Sequence, residues 1–555
     1  MAPPLRVSMI IVVLLAAPSV LSARTPDGSN APPSRASSRI ANDPSPSSSA
    51  SLEFEWDDQY DSGFSPEFDS PFDVAVDPFG DVYVTGASWG SNQLPDIATI
   101  KYTSAGDTLW VRRYNGPGES WDDGRAIAFD PLGNVYVTGW TYSDDHFFNY
   151  VTIKYTASGD QQWEAQYNGA ANNDDRAVDI AVDAFGNVYV TGTSYGQGTA
   201  DDYATVKYNS LGEQQWVARY NGPGNTQDRA AALAIDAQGN VYVTGASGEG
   251  SQNLSDYVTV KYNSSGAQQW AARYSDWYDY ATAIAVDASA NVYVTGYSYH
   301  LGTYYDYATV KYTTNGVQQW ARRFNGPGTS DDFAYDIELD ASGNVIVTGD
   351  AFFEPGSGSD YGTIKYSPSG VEQWVRRYDG PGNAVDIASA LAIDESGNIY
   401  VAGGSRGTDL VDDFATIKYS ASGDEICVLR YGSEGETYYL ASDIALDPSG
   451  GVYATGYSSE LGQKLYTTVK YGPGAITGVE TSSPPPSPAI AFPNPVMVGG
   501  LVTLRGLGTA PIEVFSPDGR RLLRSEGISQ FRAAIPGIFF VRAGHQVQKL
   551  VVLGE

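Results

Sequence analysis

Hydrophobic and polar residues alternate along this chain in short runs that recur at a nearly constant spacing. Residues 186–192, GNVYVTG, alternate as a half-buried strand does, and the Gly-Asn pair supplies the turn that enters it. Near-copies of this run end at Gly86, Gly139, Gly192, Gly245, Gly296, Gly349, Gly403 and Gly456. Successive gaps between these glycines are 53, 53, 53, 51, 53, 54 and 53 residues. A fixed period of this size is typical of repeat architectures.

Each repeat divides into four short strands. In the third copy they cover residues 179–183, 187–192, 203–208 and 214–220. The runs are rich in Val, Ile, Tyr, Thr and Trp, and Gly, Asn, Asp and Ser fill the connections. No segment has a sustained helical period. The pattern predicts an all-β fold, an eight-bladed β-propeller with four-stranded blades.

The fourth strand of each repeat indicates how the ring closes. Its tryptophan recurs at Trp110, Trp163, Trp216, Trp270, Trp320 and Trp374, and Cys427 takes the equivalent place in the seventh repeat. The eighth repeat ends near Gly472 without a fourth strand, whereas residues 56–60, WDDQY, match that strand and precede the first repeat. We therefore predict that an N-terminal strand completes the last blade, which removes an exposed sheet edge.

Two charged residues recur in every repeat and are expected to belong to the scaffold, because a single active site needs only one set of groups. An aspartate ends each first strand, and a short carboxylate there accepts backbone N–H bonds from the following turn. The aspartates are Asp77, Asp130, Asp183, Asp236, Asp287, Asp340, Asp394 and Asp447. A lysine in each third strand is expected to pair with a neighbouring carboxylate or to lie along the sheet edge. The tryptophan row is expected to pack between blades.

The chain outside the repeats divides into four further segments. Residues 1–23 combine Arg6, an apolar run and small residues at Ser22-Ala23, which predicts a secretory signal peptide. Residues 24–51 are predicted to be a disordered Ser/Pro linker, and residues 475–488 a stiff Pro/Ser linker. The propeller is expected over residues 52–474. Residues 489–555 are predicted to form a small immunoglobulin-like β-sandwich.

The amino-acid composition argues against several classes of function. The chain has 33 basic and 65 acidic residues and a formal charge of −32, which argues against a basic surface for nucleic acid or anionic membranes. Cys427 is the only cysteine, so the chain has no intrachain disulfide and no cysteine-rich metal site. No stretch after the signal is apolar enough for a membrane span. Together with the signal peptide, these features indicate a protein that is secreted or held at a bacterial outer cell surface.

The repeats and the C-terminal segment each resemble a known family. GNVYVTG, YATVKY and QQWVARY in the third repeat resemble the SBBP-type β-propeller repeat of secreted bacterial proteins, which implies the propeller but no common catalytic motif. FPNP at 492–495, SPDGR at 516–520, GIFFVR at 537–542 and KLVV at 549–552 resemble the sorting domain of type IX secretion substrates. That resemblance implies that residues 489–555 engage secretion machinery; a related module without sorting activity is the alternative.

The ligand site is expected where the loops are long. These loops join the fourth strand of one blade to the first strand of the next, and the second strand of a blade to its third; we call the face that they form the long-loop face. Variable loops on a rigid scaffold often carry binding residues. The candidate binding residues are the aromatic residues Trp89, Trp121, Trp140, Tyr142, Tyr195, Trp277, Tyr299, Tyr304 and Tyr305. Such rings stack on sugars or form protein contacts, and the alternative is that they cover the ends of blades.

Acidic pairs in the same loops suggest further chemistry without a specific motif. The pairs are Asp122-Asp123, Asp144-Asp145, Asp174-Asp175, Asp201-Asp202, Asp331-Asp332 and Asp412-Asp413. Their oxygens suit Ca²⁺, but no calcium-loop motif is present, so solvation or loop capping is favoured and no cofactor is predicted. His146, His300 and His545 have no metal or catalytic spacing, and no phosphate loop, dinucleotide fingerprint or nucleophile elbow occurs.

The leading functional interpretation is a monomeric, non-enzymatic binding or adhesion module for a polysaccharide or protein. An extracellular polysaccharide hydrolase or lyase with carboxylates near the central channel is the first alternative. A purely structural surface protein is the second, because the repeats are so alike.

Overall fold

The computed structural model describes most of the repeat region and separate strands on either side of it. The described residues are 38–42, 52–63, 69–118, 120–143, 147–249, 254–328, 330–353, 358–408, 411–433, 438–460 and 463–473. Beyond them, strands are described between 491 and 553. The expected signal peptide, 1–23, and the expected linker, 475–488, lie outside the described residues. No helix in these ranges is long and apolar enough to cross a membrane.

Eight four-stranded antiparallel sheets follow one another along the chain, and we number them as blades 1 to 8. The first strands of blades 1 to 8 are Ser70–Val76, Asp122–Phe129, Asp175–Val182, Asp228–Ile235, Asp279–Val286, Phe333–Leu339, Asp386–Ile393 and Tyr439–Leu446. The second strands are Val82–Trp89, Val135–Ser143, Val188–Tyr195, Val241–Glu249, Val292–His300, Val345–Ala351, Ile399–Arg406 and Val452–Glu460. The third strands are Pro95–Tyr102, Phe147–Tyr155, Asp201–Tyr208, Leu254–Tyr262, Tyr304–Tyr312, Asp360–Tyr366, Asp412–Tyr419 and Gln463–Pro473. The fourth strands of blades 1 to 7 are Thr108–Tyr114, Gln161–Tyr167, Gln214–Tyr220, Gln268–Tyr274, Gln318–Phe324, Glu372–Tyr378 and Glu425–Ser433.

The fourth strand of blade 8 comes from the N-terminal side of the repeats, which confirms the predicted closure. Leu52–Tyr60 pairs antiparallel with the third strand of blade 8, placing Trp56 opposite Lys470 and Tyr60 opposite Tyr466. First strands of neighbouring blades contact each other all the way round, including blade 8 against blade 1. The protein is therefore an eight-bladed β-propeller whose ring is closed by its N-terminal strand.

Blades pack through the residues that recur in each repeat. The Trp110 ring of blade 1 lies 6.0 Å from the Tyr155 ring of blade 2, and its Nε1 donates to the Ala157 carbonyl of blade 2 at 3.1 Å. Asp77 accepts the backbone N–H groups of Phe79 at 2.8 Å and Asp81 at 3.0 Å. Lys101 forms an ion pair with Asp81 at 2.8 Å. The scaffold roles predicted for these three rows are confirmed in blade 1.

One further strand lies within the segment expected to be a disordered linker. Ser38–Asn42 pairs antiparallel with the outer strand of blade 7, placing Ile40 opposite Tyr431. This outer strand, Glu425–Ser433, lies at the edge of its sheet. The backbone groups of an edge strand readily pair with an extended segment. The linker was predicted from amino-acid composition, which does not indicate this pairing.

The chain divides into two compact units, residues 1–477 and 478–555. The strands of the second unit are Ala491–Phe492, Val496–Met497, Leu501–Leu504, Ile512–Phe515, Arg521–Ser525, Gln530–Arg532, Gly537–Ala543 and Gln546–Leu553. They form one three-stranded sheet and one five-stranded sheet. The immunoglobulin-like arrangement of the unit stays a prediction.

Candidate functional site

A polar network holds the loops of the long-loop face in place. In blade 3, Arg219 of the fourth strand donates to Asp202 of the third strand at 2.9 Å and to the Ser194 hydroxyl of the second. It also donates to the Tyr167 hydroxyl of the preceding blade at 3.1 Å. Equivalent arginines in blades 1 and 7, Arg113 and Arg430, make the same set of contacts. In blades 1, 3 and 7 the network ties the blade to the preceding one directly beneath the loops.

The acidic pairs in the loops contribute to this scaffold. Asp122 and Asp332 are fully buried and accept the loop N–H groups of Gly116 at 2.6 Å and Gly326 at 2.7 Å. Burial, with a smaller contribution from the nearby carboxylates Asp96 and Asp306 respectively, raises the pKa of both carboxyls to about 7. Of the two favoured interpretations, solvation and loop capping, these two residues follow loop capping. Asp144-Asp145 and His146 lie outside the described residues.

Carboxylates near the central axis are bound to neighbouring backbone. Asp73, Asp179, Asp336 and Asp443 lie on first strands, and each accepts a backbone N–H from the first strand of the next blade at 2.8–3.0 Å. All four side chains are buried. In the described part of the chain, these aspartates therefore join the first strand of one blade to the first strand of the next.

Three of the candidate aromatic residues meet in blade 2, in a cluster that we call the blade 2 patch: Trp121, Trp140, Tyr142, Phe147 and Phe148. The Trp140 ring lies 6.0 Å from Trp121 and 4.6 Å from Phe148, and Tyr142 lies 5.2 Å from Phe148. Trp140 is 7 % exposed, whereas Trp121 and Phe147 are about half exposed at 47 % and 53 %. The buried Trp140 ring thus supports the exposed Trp121 ring, and Phe147 is exposed directly before Phe148 in the chain.

Arginine side chains border the blade 2 patch. The Arg176 guanidinium lies 4.6 Å from the centre of the Phe148 ring and 5.7 Å from that of Trp140. Arg125 lies 5.8 Å from Trp140 on the side of blade 1. A guanidinium over an aromatic face fixes the ring and leaves hydrogen-bond donors beside it.

Three other candidates meet in blade 5, in a cluster that we call the blade 5 patch: Tyr278, Tyr280, Tyr297, Tyr299, Tyr304, Tyr305 and Phe333. Tyr299 lies 5.4 Å from Tyr305, 6.3 Å from Tyr304 and 6.2 Å from Tyr278. Tyr297 is buried beneath them, 5.4 Å from Tyr305. Beside the patch, His300 Nδ1 lies 2.9 Å from Asp276 Oδ2.

Each patch carries one exposed aromatic residue with a left-handed backbone. Phe147 has φ 57° and Tyr304 has φ 66°, and both begin the third strand of their blade. Bulky residues rarely adopt this conformation, which costs on the order of 1–3 kcal/mol and concentrates at functional sites. Tyr304 is 52 % exposed, so burial of its ring does not account for the strain.

The remaining candidates lie apart from these ring contacts. Tyr195 is partly exposed at the end of the second strand of blade 3. Trp89 is held at the end of the corresponding strand of blade 1, where its backbone N–H donates to Asp69 at 2.9 Å. Trp277 is exposed in the loop that enters blade 5, directly before Tyr278. Their assignment to a ligand site stays a prediction.

Sequence reasoning missed several members of both patches. Phe148, Tyr280, Tyr297 and Phe333 lie within strands, where an aromatic residue has the pattern of an ordinary core position. One available signal was position within the repeat. Phe147 and Tyr304 each follow the glycine of the Val-Tyr-Val-Thr-Gly run by eight residues, Gly139 and Gly296 respectively.

Comparison with known proteins agrees with the fold. Residues 109–148, 162–198 and 373–410 match the family described as SBBP, beta-propeller repeat. No curated protein matches the chain. Among solved structures, Sqt1 of Chaetomium thermophilum is 10 % identical with a TM-score of 0.48, covering 76 % of this chain and 99 % of that one. The β-propeller domain of the Trilobed protease from Pyrococcus furiosus is 7 % identical with a TM-score of 0.35, covering 62 % and 95 %. These distant likenesses concern the propeller fold and carry no activity over to this chain.

Proposed function

Because this chain is a β-propeller protein built of SBBP repeats, we propose that it is an exported binding and adhesion module for a polysaccharide or protein. The observation that carries the proposal is the pair of aromatic patches on the long-loop face. Each has buried rings beneath exposed ones, and each exposes one aromatic residue in a strained backbone conformation.

A polysaccharide is the ligand that this arrangement favours. Sugar rings present flat C–H faces that stack on exposed aromatic rings, and their hydroxyl groups bond to carboxylates and guanidinium groups at the edge. Asp174 and Arg176 border the blade 2 patch, and Asp276 and Asp331 border the blade 5 patch. Two separate patches on one face suit a polymer, because a polymer can occupy both and gain avidity.

The direct test is an array of microbial and plant polysaccharides probed with the full-length protein. We expect retention of at least one polysaccharide, and loss of retention in Trp121→Ala and Tyr304→Ala. The matched control is Phe185→Ala: this ring is 84 % exposed but lies in the short turn after the first strand of blade 3, on the opposite face. Equal retention by all variants would contradict the proposal. Retention of cell-surface proteins alone would assign the patches to a protein ligand.

We further propose that residues 1–23 and residues 489–555 direct the protein to the bacterial surface or the medium. The signal-peptide pattern of residues 1–23 supports export, and the motifs in residues 489–555 support a secretion or anchoring role for the C-terminal unit. Cell fractionation of the producing bacterium tests this. Deleting residues 489–555 should leave the protein in the periplasm, and unchanged surface delivery would overturn that role.

A further inference from the structure

Blade 6 and its borders with blades 5 and 7 depart from the repeat at three positions. Asp379 stands where four other repeats have asparagine: Asn115, Asn168, Asn221 and Asn325. Ala351 replaces the serine or threonine of the second strand, and Phe324 replaces the tyrosine whose hydroxyl reaches the next arginine. A residue that differs from its counterparts in the other repeats does not perform their structural role.

These replacements change the surroundings of Arg377, the arginine of blade 6. Its counterpart Arg219 donates to a serine hydroxyl and to a tyrosine hydroxyl, which Ala351 and Phe324 do not provide. Arg377 instead donates from Nε to Asp360 Oδ2 at 2.5 Å and from Nη2 to Asp379 Oδ2 at 3.0 Å. The guanidinium thereby holds the two carboxylates beside each other.

A third carboxylate completes the group. Carboxylate oxygens of Asp360, Asp379 and Asp386 lie within 4.8 Å of one another, and no other group of three potential metal ligands occurs in the described residues. Asp386 is the first residue of blade 7, and its position is fixed by the N–H groups of Gly380 at 2.7 Å and Arg406 at 2.9 Å. The cluster thus spans the border between two blades.

Two oxygens in this cluster lack a donor. Arg377 binds Oδ2 of Asp360 and of Asp379, while Oδ1 of each is buried and has no hydrogen-bond partner. The Asp360 side chain is 0 % exposed. Leaving a buried carboxylate oxygen unsatisfied is costly. Oδ1 of the corresponding Asp96, Asp202 and Asp306 also has no partner, and what distinguishes Asp360 is that two further carboxylates lie within 4.8 Å. A cation between the three carboxylates would supply the missing partner.

The charge and the ligand atoms of the cluster indicate which cation fits it. With all three aspartates ionised, their charge of −3 and the +1 of Arg377 leave −2. All the available ligand atoms are oxygens, which suits Ca²⁺; Zn²⁺ prefers nitrogen and sulfur. The Asp379 side chain is 27 % exposed, so the cluster is open to ions and water on one side.

We propose that Asp360, Asp379 and Asp386 bind one Ca²⁺ ion at the border of blades 6 and 7. The ion joins the third strand of blade 6, the connection after its fourth strand and the first strand of blade 7. Water fills the remaining coordination positions on the exposed side.

The test is calorimetric titration of CaCl₂ into the full-length protein after dialysis against EDTA, with MgCl₂ and ZnCl₂ as parallel arms. We expect one Ca²⁺ per chain and, at a concentration a hundred times Kd, a rise in Tm of about 3 °C. Asp379→Asn should abolish both effects while folding normally, since asparagine is the residue that other repeats carry there. Asp360→Asn, which reproduces Asn149 of blade 2, should do the same.

Asp202→Asn is the matched control, because it removes the corresponding aspartate of blade 3, where no group of three was found among the described residues. It should keep Ca²⁺ binding intact. Absence of saturable Ca²⁺ binding in the unmodified protein would overturn the proposal, as would equal binding by Asp379→Asn. Binding of Mg²⁺ or Zn²⁺ without Ca²⁺ would overturn it as well.

Discussion

Two aspartates meet at the seam where blade 8 joins blade 1. Asp443 accepts the Val74 N–H at 3.0 Å, and its carboxyl group lies beside that of Asp73. Burial raises the pKa of Asp443 well above its usual range, and the adjacent Asp73 charge raises it further. The folded protein therefore holds a proton at this seam that the unfolded chain gives up more readily.

Replacing Asp443 by asparagine should stabilise the protein at high pH. The raised pKa means that the contribution of Asp443 is fully present below its unfolded pKa and is lost as pH rises through the folded value. Asparagine keeps a donor for Asp73 and an acceptor for Val74 at every pH. We expect Asp443→Asn to raise the free energy of unfolding by about 1–3 kcal/mol at pH 8. Thermal melts at pH 4 and pH 8 check this; a variant that is less stable at pH 8 would contradict it.

Replacing Tyr304 by glycine tests ligand binding separately from stability. Glycine adopts its φ of 66° without steric cost, but glycine also gains more freedom in the unfolded chain. Because these effects oppose each other, Tyr304→Gly should change Tm by less than about 2 °C. It should weaken binding to the polysaccharide retained best on the array by about tenfold or more. A large fall in Tm would mean that the ring serves stability, and unchanged affinity would remove it from the ligand site.

Among elements, the strand Leu52–Tyr60 has the clearest structural role. Its Trp56 ring lies 5.8 Å from Tyr102 of blade 1 and 6.0 Å from Tyr453 of blade 8, and Leu52 is buried. Without it, the third strand of blade 8 becomes an unpaired edge. The strand was predictable because residues 56–60 follow the pattern of a fourth strand. Ser38–Asn42 follows no such pattern, and its pairing was not predictable.

Deleting residues 52–60 should destabilise the ring at a site distant in sequence. We expect the free energy of unfolding to fall by at least about 3 kcal/mol, since buried apolar contacts are lost. Amide hydrogens of residues 463–473 should exchange faster in a mass-spectrometric measurement. Deleting residues 38–42 is the control, because that strand lies only on the outer edge of blade 7. Equal protection of residues 463–473 in both deletions would argue against closure by this strand.

The two aromatic patches show what local sequence patterns do not reveal. The pattern predicted Trp121, Tyr142, Tyr299 and Tyr305 in long loops. Trp121 lies in a loop, whereas the three tyrosines lie near the ends of strands. The pattern did not group them, because each patch depends on contacts between the second strand, the third strand and the neighbouring loop. The group of Asp360, Asp379 and Asp386 was not predicted for the same reason, because its three carboxylates come from separate positions of two repeats.

At the scale of the whole molecule, buried acids should set the pH dependence of stability. Burial is the main cause that raises the pKa of Asp122, Asp332 and Asp336 to about 7 each. Their stabilising contribution is full below the unfolded pKa near 3.8 and declines as pH rises through 7. The net charge of −32 adds repulsion in the same direction. We expect a higher Tm at pH 5 than at pH 8, measured without calcium; the reverse order would contradict these assignments.

What recurs in the eight blades holds the ring, and what departs from the repeat forms the candidate sites. The most direct measurement is the affinity of the best-retained polysaccharide for three forms of the full-length protein, determined by calorimetry. The unmodified protein and Phe185→Ala should bind equally, and Trp121→Ala/Tyr304→Gly should lose at least about tenfold in affinity with its Tm preserved. Equal affinity in all three forms, or equal loss in Phe185→Ala, would contradict binding through the aromatic patches.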